Sequence, residues 1–302
     1  MSIVAAQLKT RLAPSPTGLL HLGHVLHLIY VQGISRKLGA TINLRIEDHD
    51  RIRCLPQYDE SLLQDLEWLG FDIPTKLWRQ SERHQIYQNE LEKLMNRDLV
   101  YVCRCSRKDV QSSTGQNGGE LVYPGTCRTK NYPFGEPNTC VRLKLDQTPT
   151  LDGKESPSSI QFRDLFLGDL GHNLTEQGDV VVQDRFGQWT YQFAVVIDDL
   201  EQQINLIIRG QDLLSSTGRQ LAMRALIDSK PSVPLFAHHP LLLDEDGQKL
   251  AKRRSSEAIS YLRRIGLSAD EVRGLAAYMG GLIPDRRPIA VQDDLNLNIH
   301  PV

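Results

Sequence analysis

The stretch that decides the fold is RLAPSPTGLLHLGH, Arg11–His24. Pro14 and Pro16 fix the backbone φ angle and bias the residues before them toward extended geometry. Gly18 and Gly23 let the backbone pass where a Cβ would collide. Beyond them, apolar residues recur at helical spacing, at Val25, Leu28, Ile29 and Leu38. The stretch therefore predicts a stiff loop that joins a strand to a helix N-terminus, where free N–H groups and the helix dipole favour an anion.

Composition restricts the class of protein. The chain has 302 residues, 40% hydrophobic and 24% charged, which is typical of a globular protein. It contains no apolar run long enough to span a bilayer, and its N-terminus lacks a signal-peptide pattern, so we expect a cytoplasmic protein without a membrane partner. Five unevenly clustered cysteines argue against a disulfide framework. The net charge of −2 excludes a broadly basic protein but leaves room for a local nucleic-acid footprint.

Strands alternate with helices along much of the chain. A strand precedes Arg11, a helix covers 24–38, TINLRIE at 41–47 alternates as a strand, and helices follow near 57–69 and 81–97. This order predicts an α/β fold with a mostly parallel sheet and a ligand crevice at the carboxyl ends of its strands.

Composition shifts divide the chain further. Cys, Gly, Pro and Thr become frequent after Tyr101, and the α/β pattern resumes near 189 with a strand at 204–210 and a helix at 216–227. A charged loop and two short helices follow. We therefore predict four segments, namely a first catalytic half at 1–100, an inserted subdomain at 101–178, a second catalytic half at 179–230, and a loop with C-terminal helices at 231–302.

HLGH at 21–24 places two imidazoles on either side of the helix start, with Gly23 between them. Such imidazoles, together with the helix N–H groups, can hold nucleotide phosphates and stabilise charge in a transition state. Two capping or core histidines are the alternative interpretation of these four residues.

KLAKR at 249–253 follows the acidic turn DEDG. Its lysines, Lys249 and Lys252, are three residues apart on a predicted loop that could close over a triphosphate. A solvated basic loop is the alternative.

Together the two motifs resemble the HIGH and KMSKS signatures of the class I aminoacyl-tRNA synthetases. RLAPSPTGLLHLGH, RIEDHD, YQFAVVIDD, IIRGQDLLSSTGRQ and KLAKR follow the order and approximate spacing of the glutamyl branch over nearly the whole chain. The resemblance implies a Rossmann-type fold with ATP and Mg²⁺ as substrate. It implies ATP binding by His21, Gly23, His24, Lys249 and Lys252, of which His21, His24 and Lys252 are catalytic. In one departure, Ala251 and Arg253 replace the two serines of KMSKS.

The resemblance also implies a set of residues that bind the amino acid: Arg11, Leu12, Ala13, Pro14, Ser15, Glu47, Tyr191 and Arg209. Their chemistry suits glutamate, because two arginines can meet carboxylates as bidentate forks and Glu47 can accept from the α-ammonium. Ordinary ion pairs are the alternative, but positions at the ends of three predicted strands favour a site. Which arginine holds the side-chain carboxylate stays open.

The implied reaction is attack of the glutamate α-carboxylate on the α-phosphorus of ATP, which gives glutamyl-adenylate and pyrophosphate. The carboxylate is already ionised at neutral pH, so no general base is needed. Catalysis then consists of positioning and charge stabilisation by His21, His24, Lys252 and Mg²⁺.

Three thiols within 25 residues, Cys103, Cys105 and Cys127, indicate one structural zinc site in the inserted subdomain. Buried free cysteines are the alternative. Cys140 is a candidate fourth ligand, although it shares a strand face with Arg142 and Lys144. The family resemblance favours Tyr123 instead.

The acceptor is inferred from the length of the chain, because 48 residues follow Arg254. Glutamyl-tRNA synthetases continue beyond this loop into helical domains that read the anticodon. The chain is therefore most similar to the glutamyl-queuosine tRNA(Asp) synthetases, a truncated branch that transfers glutamate to queuosine at the wobble position. We expect a monomer that binds L-glutamate, ATP and the queuosine-bearing anticodon stem-loop of tRNA(Asp). The basic run at 252–254, with Arg263 and Arg264, is a candidate phosphate-contacting face.

Three alternatives to this assignment are open. One is a reduced glutamyl-tRNA synthetase that charges a tRNA 3′ end, and another is a non-catalytic tRNA-binding paralogue, for which Ala251 would be the first sign of decay. The third is a small-molecule nucleotidyltransferase that shares only the HxGH loop. The presence of Arg11, Glu47, Tyr191 and Arg209 together counts against the last two.

Overall fold

The N-terminal part of the protein alternates strands and helices as predicted. The computed structural model describes residues 7–114, 122–148, 159–228, 232–242 and 258–300. The elements of the first part are β1 (Lys9–Leu12), α1 (Leu22–Leu38), β2 (Thr41–Ile46), α2 (Pro56–Trp68), β3 (Trp78–Arg79) and α3 (His84–Asn96). Helix α1 begins two residues before the predicted start at His24, because His21 rather than a later residue caps it.

The main sheet is built around parallel strands. β1 pairs in parallel with β2, and β2 with β3. On the other side of β1, the Asn205 N–H donates to the Lys9 carbonyl at 3.1 Å, which brings β9 (Leu206–Gly210) alongside. β9 pairs in parallel with β10 (Leu235–His239), and β10 with β6 (Ser159–Asp164). The predicted α/β fold with a mostly parallel sheet is confirmed.

A second, antiparallel sheet joins β4 (Val100–Cys103), β5 (Cys140–Leu143) and β8 (Val180–Gln183). Helix α4 (Arg107–Thr114) follows β4. The predicted insertion at 101–178 does not coincide with this sheet, since β6 and its antiparallel partner β7 (Gly168–Asn173) extend the main sheet while β8 lies beyond residue 178. The four-segment division of the chain stays a prediction.

The remaining helices are α5 (Tyr191–Glu201), α6 (Thr217–Ile227), α7 (Ile259–Arg264) and α8 (Ala269–Met279). The tail after α8 folds back over it, and a Cβ on Gly274 would lie 1.8 Å from the Arg287 carbonyl oxygen. Farther along, the His300 N–H donates to the Leu165 carbonyl at 2.7 Å. In the parts of the chain that the structure describes, no helix has both the length and the apolarity to span a bilayer.

The apolar core has two main clusters. One lies between the first half of the sheet, α1 and the C-terminal helices, and includes the fully buried Val25, Ile34, Ile46 and Val272. The other surrounds α5 and α6 and includes Phe193, Met223 and Phe236. Each such side chain contributes about 1.5–3 kcal/mol by burial, so the sheet edge that carries polar groups rests on a rigid apolar support.

Candidate active site

A cavity of about 710 Å³ opens at the carboxyl ends of β1, β2, β9 and β10. This is the edge at which open α/β sheets bind ligands. All the predicted substrate-binding residues within the described ranges line it, namely Arg11, Leu12, Ala13, Pro14, Ser15, His21, Gly23, His24, Glu47, Tyr191 and Arg209. Lys249, Ala251, Lys252 and Arg253 fall in 243–257, outside the described residues.

The start of α1 forms one wall of this cavity. The His21 side chain accepts from the Gly23 N–H through Nδ1 at 3.1 Å, and Nδ1 of His24 accepts from the His21 N–H at 3.1 Å. Because a backbone N–H only donates, both Nδ1 atoms are unprotonated and each neutral ring carries its proton on Nε2. The two histidines therefore cap the helix, which was the alternative interpretation, and they also line the cavity as N–H donors suited to phosphate oxygens.

Gly23 is required by this cap. A Cβ at this position would lie 2.9 Å from Cε1 and 3.0 Å from Nδ1 of His21. The role that the sequence suggests for this glycine, to leave space between the two imidazoles, agrees with the structure.

The proline-containing loop is tied to the end of β2. The Glu47 N–H donates to the Pro14 carbonyl at 3.0 Å, and the Thr17 N–H donates to the Ser15 carbonyl at 2.8 Å. The loop after β1 therefore lies beside the side chain of Glu47, at the mouth of the crevice.

Arg11 and Glu47 belong to a buried ion network. Arg11 Nε lies 3.1 Å from Asp199 Oδ1, and Arg45 lies 2.7 Å from the same oxygen and 3.1 Å from Glu47 Oε1. Burial favours the neutral acid, but Arg11 and Arg45 together hold the pKa of Asp199 below its usual range. For Glu47, burial outweighs Arg45 and Arg11 and raises the pKa. Arg11 and Glu47 are therefore ion-paired and also line the cavity.

Arg209 differs from Arg11 in the kind of hydrogen-bond partners that hold its guanidinium. Its Nη1 donates to Gln220 Oε1 at 2.5 Å, its Nη2 to Thr217 Oγ1 at 2.7 Å, and its Nε to His238 Nε2 at 2.9 Å. All three partners are uncharged, and no carboxylate of the described residues forms a salt bridge with this buried guanidinium. Burial lowers the pKa of Arg209 below its usual value. A buried cation without a carboxylate partner is a costly arrangement that an incoming anion would relieve.

The cysteine cluster lies at the end of β4. The Sγ atoms of Cys103, Cys105 and Cys127 lie within 4.8 Å of one another, with Cys105 and Cys127 at 3.5 Å. The Tyr123 hydroxyl lies 3.3 Å from Cys103 Sγ and 3.6 Å from Cys105 Sγ, and it accepts from the Cys127 N–H at 2.9 Å. Tyr123 therefore lies among the three thiols.

Cys140 is adjacent to the cluster but is not one of its mutually close members. It lies opposite Cys103 in the β4–β5 register. A hydrogen bond with Cys140, with further help from Tyr123 and Arg142, lowers the pKa of the Cys103 thiol despite its burial. The Arg142 guanidinium lies 3.7 Å from the centre of the Tyr123 ring. This cation offsets part of the negative charge that thiolates would bring.

Several residues of the site were not foreseen. His238 and His239 are the last two residues of β10, and Asp164 is the last residue of β6. Asp199 lies within α5 and not at the end of a strand. Thr217 and Gln220 lie in IIRGQDLLSSTGRQ, where no local pattern indicates their contacts with Arg209. The two consecutive histidines at 238–239 are the signal in the sequence that could have indicated a polar site at β10.

Comparisons with known proteins agree with this geometry. A model of the catalytic domain of tRNA synthetases class I (E and Q) matches residues 7–280. The Glutamyl-Q tRNA(Asp) synthetase of Rhodobacter capsulatus is 38% identical over 278 residues, 88% of this chain and 98% of that protein. The protein of the same name from Nitratidesulfovibrio vulgaris is 37% identical over 303 residues, 96% of this chain and 91% of its own.

Among solved structures, a glutamate tRNA ligase from Elizabethkingia meningosepticum, crystallised in complex with its amino acid, matches with a TM-score of 0.72 and 26% identity. The match covers 90% of this chain, which spans 60% of the length of that ligase.

Proposed function

Since the chain belongs to the class I tRNA synthetases of the glutamate and glutamine type, we propose that it activates L-glutamate with ATP and transfers it to queuosine of tRNA(Asp). The observation that carries the choice of amino acid is Arg209, a buried guanidinium at the cavity whose hydrogen-bond partners are all uncharged. The names of the relatives at 38% and 37% identity support the choice of acceptor.

The two arginines have different roles in this proposal. Arg209 binds the side-chain carboxylate of glutamate, because Arg11 already has a carboxylate partner in Asp199. Arg11 and the loop through Ser15 lie beside the α-carboxylate, and Glu47 accepts from the α-ammonium. Glutamine would leave the Arg209 charge without an anionic partner, so the same pocket discriminates between the two amino acids.

In the first step, an oxygen of the glutamate α-carboxylate attacks the α-phosphorus of ATP. The bond from that phosphorus to the bridging oxygen breaks, and pyrophosphate leaves with the electron pair. His21 and His24 donate from Nε2 to phosphate oxygens, while the cavity holds the two reactants in line. Mg²⁺ would neutralise phosphate charge when bound, and we propose that Lys249 and Lys252 bind the triphosphate.

In the second step, a hydroxyl of the queuosine ring attacks the carbonyl carbon of glutamyl-adenylate. AMP leaves with the electron pair of the mixed anhydride bond, and the hydroxyl proton passes to the leaving phosphate. The acceptor is the anticodon stem-loop of tRNA(Asp), whose splayed loop bases suit sequence-specific recognition. We propose that the protein acts as a monomer.

The cysteine cluster is proposed as a structural zinc site with ligands Cys103, Cys105, Cys127 and Tyr123. In a tetrahedral site with Zn–S distances of about 2.3 Å, ligand sulfurs are about 3.8 Å apart, so the observed 3.5 Å between Cys105 and Cys127 fits. When bound, zinc would hold together a small sheet whose own apolar cluster is limited. Cys140 then lies opposite the ligand Cys103 in the β4–β5 register and is not itself a ligand.

The test has two stages. Glutamate-dependent ATP–pyrophosphate exchange without tRNA is measured first, and equal rates with glutamate and glutamine would contradict the proposed amino acid. Labelled glutamate is then offered to tRNA(Asp) with and without queuosine. Incorporation should require queuosine and should survive removal of the 3′-terminal adenosine. Loss on 3′ removal together with indifference to queuosine would instead indicate a tRNA ligase that charges the 3′ end.

A further inference from the structure

His238 is a fully buried histidine that lies between a cation and an anion. In the sheet register it pairs directly with Arg209 of β9. Its Nε2 lies 2.9 Å from Arg209 Nε, and its Nδ1 lies 2.6 Å from Asp164 Oδ2. The side chains of His238 and Asp164 have no solvent-exposed surface. The three residues form a line that runs from β6 through β10 to the cavity on β9.

The proton positions along this line follow from the chemistry of its ends. A guanidinium has only donors, so His238 Nε2 accepts and is unprotonated. The neutral ring therefore carries its proton on Nδ1 and donates it to the Asp164 carboxylate. Asp164 also accepts from the Phe166 and Leu167 N–H groups, at 2.8 and 3.1 Å, which favours its ionised form. An imidazolium would place an N–H against the N–H of Arg209.

The other donors of Arg209 are also held by neutral oxygens. Thr217 Oγ1 accepts from Nη2 and lies 3.2 Å from His238 Nε2. Gln220 accepts from Nη1 and is itself oriented by a 2.7 Å hydrogen bond to Gln192 Oε1. A carboxylate in any of these places would neutralise Arg209 directly. The imidazole instead keeps the Asp164 charge one ring away.

We propose that His238, oriented by Asp164, is a positioning residue. It fixes the orientation of the Arg209 guanidinium without neutralising it, so that the positive charge of Arg209 remains available to a carboxylate of the substrate. This inference rests on the proposed activation of glutamate and specifies how the pocket selects it. His238 does not contact the substrate. It acts through Arg209, and its contribution is therefore to the selection of an anionic over a neutral amino acid.

The experiment compares His238→Gln with His238→Asn in the ATP–pyrophosphate exchange assay. A glutamine side chain can place an amide oxygen near the position of Nε2, whereas asparagine reaches only the position of Nδ1. We expect His238→Gln to stay within about threefold of the wild type. We expect His238→Asn to raise the KM for glutamate about tenfold or more, with a smaller change in kcat, and to lower the glutamate-to-glutamine ratio of kcat/KM similarly.

Thermal unfolding of both variants shows whether the substitution only weakens the fold. Equal behaviour of the two variants, or an unchanged glutamate-to-glutamine ratio in His238→Asn, would overturn the inference. That outcome is distinct from failure of the proposed function, in which the wild-type protein itself shows no preference for glutamate.

Discussion

Nδ1 of His27 and Nε2 of His239 lie 3.0 Å apart on the wall of the cavity, and the backbone determines which of them carries the proton. His239 Nδ1 donates to the Pro240 carbonyl at 2.8 Å, so its Nε2 accepts and His27 Nδ1 is the donor. Tyr30 stacks on the His239 ring at 4.5 Å. Burial lowers the pKa of both rings, that of His239 to about 4, so the pair is neutral at pH 7.

A decrease in pH should therefore destabilise the protein already at pH values well above the pKa of ordinary carboxylates. The unfolded chain protonates His239 near pH 6.5 and the folded one near 4, so the free energy of unfolding falls as the pH is lowered between these values. The full effect of one such residue is about 3 kcal/mol. Denaturant unfolding at several pH values should show a shallower decrease for His239→Gln. Identical pH dependence of the two proteins would contradict the assignment.

Arg209→Ala should largely abolish glutamate activation. Loss of a guanidinium–carboxylate contact in a desolvated pocket costs about 3 kcal/mol or more, roughly a hundredfold in kcat/KM. Exchange kinetics with varied glutamate measure this. Arg53→Ala is a matched control, because Arg53 also lines the cavity but its side chain is 73% exposed and pairs with Asp50. Similar losses in both variants would show that Arg209 has no special role.

Gln220→Glu tests the importance of an uncharged partner without changing the shape of the side chain. The new carboxylate would lie against Arg209 Nη1, where the amide oxygen now accepts at 2.5 Å. We expect the KM for glutamate to rise about tenfold or more, because the substrate would then meet a neutralised pair. The KM for glutamine should change less. A variant that still prefers glutamate as strongly as the wild type would refute this explanation of selectivity.

Purified protein should contain one tightly bound zinc per chain. Cys103→Ser combined with Cys127→Ser should remove it, since both thiols belong to the mutually close cluster. Cys140→Ser is the matched control and should retain the metal, whereas Tyr123→Phe should weaken its retention. Metal analysis after dialysis against a chelator provides the measurement. Retention by the double variant, or release by Cys140→Ser alone, would exclude the proposed ligands.

The parts of the site that the sequence predicted are those that depend on local pattern. The family resemblance names Arg11, Glu47 and Arg209, and the rule that ligand groups lie at the carboxyl ends of parallel strands favours a shared site for them. The structure brings all three to one cavity. The start of α1 was placed two residues late, because a histidine side chain is an uncommon helix cap.

The contacts that join Asp164, His238 and Arg209 could not be predicted in the same way. Asp164 and His238 are 74 positions apart, and their contact depends on the parallel pairing of β6 with β10. The shift in composition predicts an inserted subdomain at 101–178, which includes β6, and it gives no indication that β6 pairs with β10 in the main sheet. Strand order and register are set by packing across the whole domain, and short-range patterns carry little information about them.

The hydrogen bond from the His300 N–H to the Leu165 carbonyl has a consequence for how the protein is made. Leu165 follows Asp164 directly, and nearby on the same tail the Leu297 side chain packs over Gly33 of α1. Residues 297–300 leave the ribosome after all of the cavity-lining residues. A nascent chain can therefore bring the start of α1 and the ends of β1 and β2 together early, while the turn at Asp164 and Leu165 gains its hydrogen bond to His300 only after residues 297–300 have been synthesised.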